Sequence, residues 1–522
     1  MRIPSIPFKI LVLAPFRGRH QDVWREKVVR VDKMSLDETI EGMDLSLTLH
    51  LPRTLCPSGE LTLNFSKIKD FHPDGLVGSN PFLKNLLDAK KFVEEAGSKG
   101  LSAEEVYNTL KGWPNLPPIN TSIEPQKAKP KSAGPIDDIL EMVALPKEWA
   151  AFSIQGQSLL SQLDSILRQI MGKIFSQAKV RELDSVWTGL RFLLGSGGAN
   201  DKVRVEIVPV VHETLKETLS SLLTEIALEP PDLLIFDLPL DSKPFSLELL
   251  EEMAQFAETL LAPAMCWIDH NFFHLDSWED LKRLPYLPHY LEEAAFAKWR
   301  RLKEITPGRW IAVTCNRFLL RYPYGTDNRP RSVDFRENLQ LWISPVYAVG
   351  SLVGQSVMKT GWPTRFTYWQ RVRIEGLALH QVAANKFVPT ETSFSEDRIE
   401  QFIRGGIIPL VSSYNKDIAF TPSETTVAGT PLSYQLLVTR ISRLLFWCKD
   451  NFKEDLEPAE LEKDLNRAFS LFWENTGHPA PENLEISAEK PDPDKPAMVR
   501  LRFEPPRQIL SPKEAVELKF PW

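Results

Sequence analysis

Between Pro114 and Pro135 the chain has almost nothing to bury. The stretch "INTSIEPQKAKPKSAGPIDDIL", Ile119 to Leu140, is rich in Pro, Lys and Ser up to Pro135, yet patterned sequence lies on both sides of it. Such a segment cannot offset its ordering entropy by burial, so it is read as an extended linker. Stretched at ~3.1 Å per residue it reaches on the order of 60–70 Å, enough to join units that are not neighbours in the fold. The chain has 522 residues, too many for a single core, and roughly two to four domains are expected.

Before the linker the pattern is that of a small α/β unit. "FKILVLAPF" (Phe8–Phe16) is a continuous apolar run suited to a central strand, and it is too short to span a bilayer. "MDLSLTLHL" (Met43–Leu51) and "ELTLNFS" (Glu60–Ser66) alternate with period two around the turn residues "CPSG", which predicts a hairpin. From Asp70 to Ala96 the period becomes helical. Asn80 is placed to cap the orphan amides, Pro81 fits the first turn, and Phe82, Leu86, Ala89 and Val93 are expected to share one buried face.

After the linker, "PIDDILEMVALP" predicts a helix with Asp137 and Asp138 in its first turn and an apolar stripe of Ile136, Ile139, Leu140 and Val143. A longer helix follows over about Ser158–Ala178. Beyond Trp187, "DKVRVEIVPV", "LLIFDLPL" and "PAMCWID" read as strands, with the amphipathic "SLELLEEMAQFAETLLA" before the last of them. That succession predicts a parallel sheet with helical cover. Further helices are expected at Leu339–Lys359, Glu396–Arg404, Leu432–Asn451 and Pro458–Asn475. The C-terminal end returns to short strands at Leu484–Ser487, Met498–Phe503 and Val516–Phe520, separated by "PDPDKP" and "EPPRQILSP". They look like an arm with little core of its own.

No constellation for catalysis stands out. There is no phosphate-binding Gly-Lys loop, no HExxH and no GxSxG, and the nine histidines are scattered. His270 and His274, with Asp269 and Asp276 nearby, have weak metal-ligand spacing in what reads as a strand-to-loop passage. "GSGGAND" (Gly195–Asp201) follows a helical run and precedes a strand, the wrong order for a dinucleotide loop. The formal charge of −7 argues against a general nucleic-acid binder. Four separated cysteines without a CxxC pair fit a reduced, cytoplasmic chain with buried thiols. No cofactor, metal, membrane insertion or enzymatic activity is expected.

Several stretches together resemble the small and large sheath subunits of the type VI secretion system, in collinear order over nearly the whole chain. Before the linker, "IPFKILVLAPFRG" and "LTLNFSKIKDFHPDGLVGSNPFLKNLLDAKKF" are similar to the small subunit. After it, "LDSVWTGLRFLL" and above all "LDSWEDL…AFAKWRRLKE…RWIAVTCNRFLLRYPYG" (Leu275–Gly325) are similar to the large one, and "VPTETSFSEDRIEQFIRGGIIPL" continues the order. The organisation implied is a small-subunit-like α/β region at 1–113, the linker at 114–135 and a helical lead-in at 136–182. A large-subunit-like α/β core at 183–482 and a C-terminal strand arm at 483–522 follow. The tether fixes a one-to-one ratio of two parts that are usually separate polypeptides, at an effective concentration in roughly the mM range.

The resemblance implies a mixed α/β contractile tail sheath fold. Such a chain is a structural subunit that polymerises helically with copies of itself around an inner tube, meets a baseplate, and contracts to propel the tube. The alternative is a phage-tail-like or extracellular contractile particle that lacks recycling by a AAA+ unfoldase. In the family that unfoldase binds near the large subunit's leading helix, so Ile136, Ile139, Leu140 and Val143 either dock it or pack on the chain's own body. Glu396, Asp397 and Glu400 either meet a basic tube surface or form a solvated helix start favoured by the dipole. Adjacent subunits exchange β-strands. With no extended arm before Phe8, the strand residues Leu484, Ile486, Val499, Leu501, Phe503, Val516, Leu518 and Phe520 are expected to link subunits.

Overall fold

The computed structural model describes residues 6–18, 23–24, 27–96, 99–119, 147–453, 456–481, 483–490, 496–510 and 515–522. Most of the linker and the stripe of Ile136, Ile139, Leu140 and Val143 lie outside the described residues. The strands in chain order are β1 (Phe8–Ala14), β2 (Val29–Val31), β3 (Leu45–His50), β4 (Glu60–Phe65), β5 (Val203–Pro209), β6 (Leu233–Leu240), β7 (Ala264–Ile268) and β8 (Ile311–Cys315). The short β9 (Phe318–Leu319), β10 (Trp342–Ile343), β11 (His380–Ala383) and β12 (Lys386–Val388) follow. Then come β13 (Ile407–Pro409), β14 (Val411–Ser412), β15 (Ala419–Phe420), β16 (Glu485–Glu489), β17 (Met498–Phe503) and β18 (Val516–Pro521).

The chain forms two compact units, and they do not follow the two sequence halves. One comprises Met1–Thr39, Glu182–Arg321 and Leu341–Trp522; the other comprises Ile40–Arg181 and Tyr322–Gln340.

The first unit is built on a seven-stranded sheet of order β13-β8-β7-β6-β1-β5-β2. All neighbours are parallel except β2, which runs antiparallel to β5 at the edge. The expected parallel core is present, but one of its inner strands, β1, comes from the other side of the linker. β1 pairs with β5 from Phe8↔Val203 to Ala14↔Pro209, and with β6 from Ile10↔Leu233 to Leu13↔Phe236. Every residue of β1 is buried, which explains the unbroken apolar run: a strand covered on both faces has no side to leave polar. Lys9 is the exception in type, and its ends are satisfied. Its amide donates to Asp232 (2.7 Å), and its ammonium donates to the Glu229 carbonyl (2.9 Å) and pairs with Glu206 (3.0 Å).

Helices Pro244–Thr259 and Pro345–Thr360 lie against the central strands. The second of these begins at Pro345, not at Leu339, because the proline supplies a pre-set φ where an amide would have no partner. It approaches the helix Ala178–Ser196 so closely that a Cβ on Gly354 would stand 2.3 Å from the Gly197 carbonyl oxygen. Helices Glu396–Arg404, Leu432–Asn451 and Pro458–Asn475 have the bounds their periodicity gave. All four cysteines are buried free thiols.

In the second unit, β3 and β4 form the expected hairpin, in register from Leu45↔Phe65 to His50↔Glu60. The turn after it is held by side chains. Asp70 accepts from the amides of Ser66 (2.9 Å) and Lys67 (3.1 Å), and His72 Nδ1 accepts from the Asp74 amide (3.2 Å). A Cβ on Gly75 would lie 1.9 Å from the Lys69 carbonyl oxygen, so only glycine fits. In the helix Pro81–Ala96 the buried face is Leu83, Leu86, Ala89, Val93 and Ala96. Leu83 replaces the expected Phe82, which stays half-buried: the stripe is set by the turn that Asn80 caps, and this places the second residue after Pro81 inward. The helix Lys147–Ser176 buries Leu163, Leu167, Ile170 and Ile174 in the same unit, and Lys90 reaches its Asp164 at 2.7 Å.

Candidate assembly surfaces

The motif residues of Leu275–Gly325 act as structural joints. Arg317 pairs with Glu391 at 2.6 Å, and Trp278 Nε1 donates to the same carboxylate at 3.2 Å. Burial opposes ionisation of Glu391, but the Arg317 guanidinium and these donors hold its carboxyl below the usual range. Arg321 lies 3.4 Å from Asp184, and Trp187 Nε1 donates to the Phe16 carbonyl at 3.1 Å. In the second unit Tyr324 packs edge-on against His72 and Phe175, and Asp74 accepts from the amides of Arg331 (3.0 Å) and Ser332 (2.7 Å). His270 and His274, considered above as metal ligands, engage the Leu275 carbonyl and the Ser242 hydroxyl. No group of three or more His, Cys, Asp or Glu able to hold a metal occurs among the described residues.

The helix Glu396–Arg404 is anchored on one side and open on the other. Ser395 caps it by accepting from the Arg398 amide (3.3 Å). Phe402 is fully buried beside Phe273, Trp278 and Phe394, and Arg398 donates to the carbonyls of Leu284 and Pro285. Glu396, Asp397 and Glu400 are all exposed on the outer side, with Glu400 paired to Arg404 one turn on. The structure thus brings the three carboxylates together on a rigid, outward-facing element.

The C-terminal strands form a three-stranded antiparallel sheet of order β16-β17-β18. Its register sets Leu501 between Ile486 and Leu518, Val499 beside Phe520, and Phe503 beside Val516. These residues share one face, and Val499, Leu501, Phe503 and Val516 are buried. Leu484, Ile486, Leu518 and Phe520 are half-buried. The expectation of little core is corrected here, because the face has a partner in its own chain. Trp473 of the helix Pro458–Asn475 meets Phe503 at 5.8 Å.

What the sheet presents outward is backbone. At the β16 edge the Ala488 amide already donates to Glu462 (2.7 Å), so that edge is partly taken. The same bond places the Ala488 amide away from β17, and alternation then turns the Glu517 and Lys519 amides to the outer edge of β18. The β18 edge has no strand beyond it among the described residues, which sequence patterning alone does not reveal.

Comparison with known proteins fits this architecture. Residues 3–111 match the family described as "Type VI secretion system, VipA, VC_A0107 or Hcp2", and residues 224–428 match "VipB: EvpB/VC_A0108, tail sheath N-terminal domain". A curated relative, the "Type VI secretion system sheath protein TssC1" of Pseudomonas aeruginosa, is 26% identical over 312 residues, 54% of this chain and 62% of the relative. The chain therefore spans less than two thirds of that relative's length.

Among solved structures, the anti-feeding prophage helical sheath in its contracted state aligns with a TM-score of 0.37 at 10% identity, over 64% of this chain and 81% of the other. The sheath tail protein Lin1278 of Listeria innocua aligns with a TM-score of 0.33 at 12% identity, over 61% of each chain. The matched families define the class: a tail sheath protein of mixed α/β architecture. Within that class the chain belongs to the type VI secretion sheath, with the small- and large-subunit families joined in one polypeptide.

Proposed function

We propose that this chain is the structural, non-catalytic subunit of a contractile sheath, acting in the cytoplasm. Copies polymerise helically around an inner tube on a baseplate, and shortening of the polymer drives the tube outward. The observation that carries the reading is the placement of β1. The region matching the small sheath subunit supplies an inner strand, β1, of the sheet to which the region matching the large subunit contributes β6, β7, β8 and β13, so the two act as one protomer. No helix among the described residues is long and apolar enough to cross a membrane.

Negative-stain microscopy of the full-length protein with its tube protein tests this. Long narrow tubes and short wide ones are expected in the same preparation. Tubes of one diameter only, or no tubes, overturn it. The exposed Glu396, Asp397 and Glu400 are the proposed tube contact, held outward by the Ser395 cap and the Phe402 anchor. Reversing all three charges is expected to abolish co-purification of the tube protein without lowering the melting temperature. Recycling is tested separately: a peptide of residues 136–145 that binds the cognate AAA+ unfoldase at micromolar strength adds that partner.

A further inference from the structure

A cavity of about 710 Å³ opens in the first unit. Its lining includes Lys202, Lys359, Arg365, Arg371, Arg440 and His478, and no carboxylate. These cations come from separate parts of the chain: the approach to β5, the end of the helix Pro345–Thr360 and the turn after it, and the helix Leu432–Asn451.

Arg440 is compensated, since it is buried, lies 3.4 Å from Asp232 and donates to the Ile6 carbonyl. Lys202, Lys359, Arg365 and Arg371 have no ion-pair partner among the described residues. Lys359, Arg365 and Arg371 are nevertheless held in place. The Arg365 and Arg371 guanidiniums stand 5.5 and 5.9 Å from the centroid of the half-exposed Tyr368 ring, and Lys359 donates to the Arg371 carbonyl. Those contacts orient the charges without neutralising them. For Glu424, whose charged form Arg365 favours, desolvation pushes the carboxyl up to about 7, so at neutral pH it supplies only part of a charge.

Three positive charges without counter-charge, with Arg365 only partly compensated, repel one another, and a complementary partner relieves that repulsion. The chain carries a formal −7, so outside these four cations its balance is −11. A second copy therefore arrives with a net negative charge. The cavity is also large enough to accept several side chains.

We propose that this cavity is a docking site for an acidic surface segment of a second copy of the chain, a charge-based contact additional to strand exchange. The proposal rests on the reading that copies of the chain assemble.

Sedimentation of the full-length protein against salt concentration tests it, with K202Q/K359Q/R371Q as the variant, since all three side chains are exposed. At about 50 mM salt, self-association of the variant is expected to be roughly tenfold weaker than wild type, with an unchanged melting temperature. The charge-keeping K359R/R371K is expected to associate as wild type. Should the glutamine variant melt early, the comparison is made with K359R/R371K against K359Q alone. If the glutamine variants form polymers like wild type, with the same salt dependence, the docking proposal fails while the sheath reading stands. If wild type does not self-associate at any salt concentration, both fail. If inorganic pyrophosphate binds one per chain and leaves self-association unchanged, the cavity is a small-anion site and the proposal is likewise overturned.

Discussion

The Lys9 ammonium lies 3.0 Å from the Glu206 carboxylate, tying the first strand of the chain to a strand that follows the linker. Their side chains are only 10% and 12% exposed, and while Lys9 also reaches the Glu229 carboxylate at 3.8 Å, Glu206 relies on Lys9 for compensation. Lys9→Met is expected to destabilise the protein by about 3 kcal/mol by leaving Glu206 uncompensated. K9M/E206M together should recover most of that loss. Urea denaturation midpoints, at unchanged slope, give the comparison.

The sheet order makes a second prediction. A polypeptide of residues 147–522 lacks the strand between β5 and β6, leaving two inner edges open where neither is protected. Expressed alone it is expected to aggregate, and co-expression with residues 1–113 should restore a soluble complex on size exclusion. A monodisperse, cooperatively melting 147–522 would show that β1 is dispensable to the core.

Asp237 gives a pH dependence of definite sign. It accepts from Trp267 Nε1 at 2.9 Å, and burial pushes its carboxyl from 3.8 up to about 6. Between those values the folded protein keeps a proton that the unfolded chain has released. Stability from this group is therefore full below about pH 4 and falls as pH rises to about 6. Above that, the folded state carries a penalty of about 3 kcal/mol. D237N keeps an acceptor for Trp267 and removes the titration. Its stability relative to wild type should rise by about that amount between pH 4 and pH 7.5, read from denaturation midpoints across pH.

Strand exchange is testable at one amide. Lys519 sits on β18 with its N–H turned to the open edge, where proline is tolerated because no ladder bond is lost. K519P is expected to melt close to wild type and to lose polymer formation. L518P, which removes an inward ladder bond, should lower the melting temperature. Intact tubes from K519P would rule out the β18 edge as the accepting surface.

Much of this molecule is legible locally. The helix Glu396–Arg404 announces itself by the Ser395 cap, two acids in the first turn and Arg404 in the last, all within a few residues of one another. The β3–β4 hairpin and the Asp70–His72 turn are legible for the same reason. In the helix Pro81–Ala96 the stripe of Leu86, Ala89 and Val93 is legible, and only its first member differs, because Phe82 and Leu83 are both apolar and packing alone selects Leu83. The C-terminal strands looked coreless because their partner, Trp473, lies on a separate helix.

The strand character of Phe8–Ala14 and the sheath-family motifs on either side of residues 114–135 can be read from runs of neighbouring residues. That this strand enters the sheet between β5 and β6, giving one sheet to both halves, emerges from the folded arrangement alone. The physical reason is that periodicity and capping are interactions among near neighbours in the chain. Strand order is fixed instead by pairing and burial between residues brought together across hundreds of positions. The same holds for the cationic cavity, whose Lys202, Lys359 and Arg371 carry no shared pattern until the fold assembles them.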